Sequence, residues 1–198
     1  MSDRPANVKV LRGRVLSFVS EPQGIDDTQR QLAARENLYF MLHGDYRDGT
    51  TFWGQNDDGN MAAISVGSLP QSGLGVAFSG CCWGALSVSE PAFLVGDKTP
   101  TPRMPERSIA LSILKAGAKA FVGSTGVHYS PGEQGGFFGG PLHEAFWDEI
   151  GRGMAPAEAL LNARNTYLVA IPHGRVALWN QAVERKIYKQ FTCLGLGW

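Results

Sequence analysis

The sequence predicts an α/β protein built around a mostly parallel sheet. Three short apolar runs point to buried strands: Leu38–Leu42, Val76–Phe78 and Lys119–Ser124. Each run leads into a loop that carries glycine, and a helical segment follows each of these loops. Apolar run, loop and helix repeating in this order imply crossover connections between parallel strands. The chain of 198 residues is 43% apolar, enough for one sizeable core, in one domain or one domain plus a short extension.

Charge and cysteine content narrow the function classes. Lys plus Arg and Asp plus Glu both number 18, so nucleic acid and anionic membranes are not expected partners. Three cysteines, two of them adjacent, form neither a disulfide framework nor a zinc pattern. No metal and no cofactor are therefore expected. The thiols fit a reducing compartment, no signal-like or membrane-length apolar run is present, and a cytoplasmic location is expected.

In chain order, Val8 to Val19 alternates in part and predicts one or two strands. Asp26 or Asp27 could cap a helix running to about Asn37. Residues 45–60 read as a polar loop with a small hairpin around Thr50 to Gly54, and Met61 to Leu69 as a short helix. Ser87 to Pro105 is a proline-bearing loop, followed by a helix from Glu106 to Ala116. After the strand at Lys119–Ser124 and a glycine-rich loop, helices are expected over Leu142–Arg152, Pro156–Ala170 and Leu178–Gln190. Pro156 in the first turn, with Glu158 beside it, is a good start signal.

Chemistry concentrates at two strand ends, where open α/β sheets place their ligands. His43-Gly44 follows the first apolar run, and Cys81-Cys82-Trp83-Gly84 follows the second. A cysteine attacks as its thiolate, and a nearby histidine takes or supplies the proton. If the two strands are neighbours, about 5 Å apart, the side chains can meet. Gly44 lets the backbone approach a substrate, so its N–H and that of the cysteine are candidate oxyanion donors. The bland alternatives are a histidine bonded to its own loop and cysteines used as small buried hydrophobes.

These segments, Leu38–Gly44 and Ser79–Ala85, resemble the caspase-fold cysteine peptidases, closest to the gingipain-like and bacterial CHAT-type branches. The resemblance continues through Ala116–Thr125, Leu142–Gly153 and Ala155–Leu160, covering about Asn37 to Tyr167. It implies a caspase-like three-layer sandwich over residues 37–198, with residues 1–36 as an N-terminal extension or a partial first strand and helix. It also implies a Cys/His dyad peptidase that cleaves polypeptides through a thioester acyl-enzyme, with His43 as the histidine. Two alignments of the turn compete. Small residue, Cys, two residues, Gly makes Cys81 the nucleophile and an oxyanion donor. The Cys-x-Gly signature makes it Cys82. The first is favoured. Because successive strand side chains point to opposite faces, only one thiol should face His43.

The resemblance further implies that the loop of Ser124, Thr125, Gly126, Val127, His128 and Tyr129 lines the substrate groove. Asp45, beside the His-Gly pair, is a candidate contact for a basic substrate residue, although the Asp-rich loop reads first as solvated. His128 reads first as an ordinary polar loop residue. Trp53 and Trp83 read as packing residues, and Phe146 and Trp147 as core. The loop of Gly123–Gly126 and Gly132–Gly140 lacks the Lys-Ser/Thr ending of a phosphate-binding loop. Only about 36 residues precede the histidine strand, which suits a C-terminal domain, a reduced member or a subunit of a larger protein. The alternative function is a catalytically silent module for protein interaction or regulation.

Overall fold

A computed structural model describes residues 7–11, 15–19, 37–56, 59–69, 72–90, 96, 99–128, 138–171 and 178–195. The strands are β1 (Asn7–Leu11), β2 (Val15–Val19), β3 (Asn37–Met41), β4 (Thr51–Asn56), β5 (Gly59–Ser65), β6 (Val76–Ser79), β7 (Ala120–Ser124) and β8 (Phe191–Leu194). The helices are α1 (Ile109–Lys115), α2 (Gly140–Gly151), α3 (Pro156–Ala170) and α4 (Leu178–Gln190). Six strands form one sheet in the order β1-β2-β3-β6-β7-β8, and β4 and β5 form a separate hairpin. The four inner strands run parallel, while β1 and β8 are antiparallel edges.

Alternation along β6 and β7 builds a core on each face of the sheet. Ala77 and Phe121 join Leu38 and Phe40 of β3 against Ile109, Ala110 and Ile113 of α1, with Phe52 and Ile64 of the hairpin in the same cluster. Val76, Phe78 and Val122 face the other way. They meet Leu142 and Phe146 of α2, Ala163 and Tyr167 of α3, Ile187 of α4 and Phe191 of β8. The result is the expected three-layer α/β sandwich with a mostly parallel sheet between helices. Among the described residues, no helix is long and apolar enough to cross a membrane.

The apolar runs at 38–42, 76–78 and 119–124 become β3, β6 and β7, and the three C-terminal helices form where expected. The segment expected as a helix at Met61–Leu69 instead pairs with β4 as β5, then makes one 3-10 turn at Val66–Ser68. Met61 and Ala62 suit a helix locally. Pairing with Gly54 and Trp53, and burial of Ala63 and Ile64, override that preference. The small hairpin expected near Thr50–Gly54 is thus the larger β4–β5 unit. Residues 191–194, where no strand is expected from the sequence, complete the sheet as β8. The helix expected from Asp26 or Asp27 lies outside the described residues.

Candidate active site

His43 lies just past the carboxyl end of β3, and its backbone is clamped by β4. Its N–H donates to the Trp53 carbonyl at 2.7 Å, and its carbonyl accepts from the Trp53 N–H at 2.9 Å. Trp53, read as a packing residue, therefore props the histidine's backbone. The His43 side chain is exposed.

The cysteine pair ends the neighbouring strand. β3 and β6 are parallel, with Leu38 beside Ala77 and Phe40 beside Ser79. The ladder ends there: His43 bridges to Trp53, and residues 81–85 leave β6 as a bend and turn. Leu42 and Cys81 share one buried cluster. Cys81 is fully buried, its Sγ lies 3.9 Å from the Phe40 carbonyl oxygen, and burial pushes its thiol up to about 12. Its N–H donates to Ser79 Oγ at 3.2 Å, which occupies the donor expected for an oxyanion. Cys82 is partly exposed. Its thiol donates to the His128 carbonyl, and its sulfur accepts from the His128 N–H, both at 3.3 Å.

The turn beyond the cysteines is tight. Trp83 takes a left-handed φ of 57°, and its N–H donates to the Gly126 carbonyl at 2.9 Å. Its ring meets Tyr46 edge-on at 6.0 Å, with the Arg47 guanidinium 5.1 Å from the Tyr46 ring centre. Gly44 packs directly on this turn. A Cβ at position 44 would fall 2.0 Å from the Cys82 carbonyl oxygen, so only glycine fits the approach.

The loop after β7 is tied down rather than open. Ser124 is buried, donating to the Gly126 carbonyl at 2.7 Å and accepting from its N–H at 3.2 Å. Gly126 is buried as well, while Thr125 and Val127 are exposed. Thr125 is held by Gln190, whose carbonyl accepts both its N–H and its hydroxyl at 2.9 Å. Tyr129 lies outside the described residues. Asp45 is exposed, and its Oδ1 accepts from the Arg47 N–H at 2.7 Å. Both Asp45 and Asp48 lie within electrostatic reach of Arg103, so these carboxylates already have a cation in the chain. Among the described residues no three His, Cys, Asp or Glu side chains gather as a metal-ligand set.

His128, read as a polar loop residue, is buried under the loop. Its Nδ1 lies 2.9 Å from Gln190 Nε2, and its ring sits 5.1 Å from that of His143, a residue the sequence reading did not single out. His143 occupies the inward stripe of α2 with Leu142, Phe146 and Trp147, so the same helical spacing that marked those residues marks it too. Its Nδ1 pairs with the Tyr39 hydroxyl at 2.8 Å. Burial, with Lys186 near His128 and the two rings near each other, lowers both histidines' affinity for a proton, His128 to about 4.

Both rings are therefore neutral in the fold and take a proton readily only once it opens. The contribution of His128 is complete above about pH 6.5 and is lost as pH falls toward 4, by about 1.4 kcal/mol per pH unit, and His143 acts in the same direction. Urea unfolding at pH 7, 5.5 and 4.5 checks this. A His128→Gln variant is expected to flatten the slope, and an unchanged slope counts against the assignment.

A cleft of about 350 Å³ opens at the opposite ends of the strands, lined by Asn37, Val76, Lys119, Met154 and Pro156. It holds none of the residues expected to do chemistry.

Neither a family model nor a curated protein matches the sequence. A solved structure described as a protease is similar to this chain at 14% identity with a TM-score of 0.42, over 84% of this chain and 35% of that one. The chain thus corresponds to only part of that protein's length.

Proposed function

We propose that the protein is a cysteine peptidase in which Cys82 is the nucleophile and His43 the proton-transfer group. The observation that carries the reading is the difference in access between the two thiols: Cys82 is partly exposed, while Cys81 lies sealed in the cluster that holds Leu42. A nucleophile needs access to substrate and an environment that tolerates its anion, and the Cys81 thiol has neither. The reading thus takes the Cys-x-Gly alignment over the one that favours Cys81.

In this mechanism His43 takes the Cys82 thiol proton as the sulfur attacks the scissile carbonyl carbon, forming a C–S bond. The amide breaks as His43 protonates the departing nitrogen. Water, deprotonated by the same imidazole, then hydrolyses the thioester and regenerates the thiol. Donors for the oxyanion are the N–H groups of Gly44 and Cys82, since that of Cys81 is engaged with Ser79. Thr125 and Val127, with Tyr46 and Trp83, are the groups available to a peptide at the rim.

The test is cleavage of fluorogenic peptides with Arg, Lys, Asp or Asn before the bond. The wild type is expected to cut at least one, and His43→Ala to lose about 10²- to 10⁴-fold. A folded wild type that cuts none would favour the catalytically silent module.

A further inference from the structure

α4 presents two polar side chains one turn apart to the loop that covers Cys82, Lys186 and Gln190. Their helix is anchored between them by Ile187, which is fully buried. Gln190 holds Thr125 and His128, as described. Lys186 reaches across Gly126, its Cε 4.0 Å from where a Cβ on that glycine would sit. Its Nζ donates to the Val127 carbonyl at 2.5 Å.

That carbonyl belongs to the same peptide group as the His128 N–H. One end of the amide therefore meets the Lys186 ammonium and the other end meets the Cys82 sulfur at 3.3 Å. A cation on the oxygen withdraws electron density through the amide and strengthens the hydrogen bond its N–H gives. We propose that Lys186 is a positioning residue that acts through the Val127–His128 peptide to favour the thiolate of Cys82. The inference rests on Cys82 being the reactive thiol of the proposed peptidase.

The local peptide groups pull in two directions. The His128 N–H favours a negative sulfur, while the His128 carbonyl, also 3.3 Å away, accepts the thiol proton and favours the neutral form. Lys186 supplies the charge that tips this balance. The coupling is mutual: burial lowers the lysine's own hold on its proton, and Cys82 strengthens it. Among the described residues, the titratable groups around the sulfur are Cys81 on its own turn, His128 on the loop with His143 of α2 behind it, and Lys186 on α4, with His43 just past the end of β3. Of these, Lys186 is the one that meets the oxygen of the Val127–His128 peptide.

The experiment is alkylation of the intact protein by iodoacetamide, with Cys82 modification followed by tandem mass spectrometry from pH 5 to 10. The sulfur forms a C–S bond, iodide leaves, and the thiol proton goes to solvent. Lys186→Met is expected to slow the reaction at pH 7 by about tenfold and to move the pH midpoint up by about one unit. Lys186→Arg is expected to stay close to wild type. Lys186 is exposed, so neither change opens the core. Alkylation of the wild type in 1 M salt gives the same reading without a substitution, because screening should weaken an exposed charge. Superimposable profiles for wild type and Lys186→Met would overturn the proposal, as would an Arg variant as slow as Met. Peptide cleavage is not read, so a chain without peptidase activity could still show the Lys186 effect, and the two ideas fail separately.

Discussion

Alanine in place of Cys82 is expected to lower peptide cleavage by on the order of 10⁴-fold or more, whereas Cys81→Ala should keep most of it. The contrast follows from where β6 ends. Its ladder with β3 stops at Ser79, and the turn that follows separates the surroundings of the two thiols. Cys81 points into the cluster of Leu38, Phe40 and Leu42, where loss of its sulfur leaves a small cavity and a modest cost in stability. Cys82 points to the loop after β7 and is reached by solvent. Steady-state cleavage by both variants, with thermal melting to confirm folding, settles the matter. The reverse outcome would return the nucleophile to Cys81 and require the turn to open when substrate binds.

Phe78→Ala is expected to destabilise the protein by about 3–5 kcal/mol, a large share of the 5–15 kcal/mol typical of a domain. Phe78 is fully buried, with ring centres at 4.7 Å for His143, 5.0 Å for Phe146, 5.2 Å for Phe191, 5.9 Å for Tyr39 and 6.3 Å for Trp147. These neighbours come from β3, α2 and β8, so no single element can collapse into the void. Phe78→Leu keeps most of the volume and should cost under about 1.5 kcal/mol. Urea unfolding of both variants gives the measurement. A loss below 1 kcal/mol for alanine would show that the cluster repacks freely.

The parts of the fold visible in the sequence were those where burial writes a simple pattern. Val76–Phe78 and Lys119–Ser124 are apolar because both faces of their strands are covered, and Pro156 marks its helix start by its missing N–H. β5 was misread because Met61-Ala62-Ala63-Ile64 suits either structure, and only pairing with β4 decides. β8 was missed because Phe191-Thr192-Cys193-Leu194 is short and half polar, its strand character coming from β7 beside it. At the site, the residue types and their positions after the strands could be read. Which thiol is buried and which is reached by solvent depends on the segments that pack around the turn after β6, and the cysteine pair does not encode it alone. Lys186 carried no local signal either, since its role depends on a loop 59 residues earlier in the chain.

The dependence of the β7 loop on α4 and β8 has a consequence for how the protein is made. Thr125, Val127 and His128 are held by Lys186 and Gln190, and Phe191 fills the core against Phe78. During synthesis, Cys82 is made 104 residues, and His43 143 residues, before Lys186 exists. A nascent chain shorter than this carries both cysteines and the β7 loop without the side chains that tie that loop down. Because long-range contacts close last, the surroundings of Cys82 are completed only when α4 and β8 have been made.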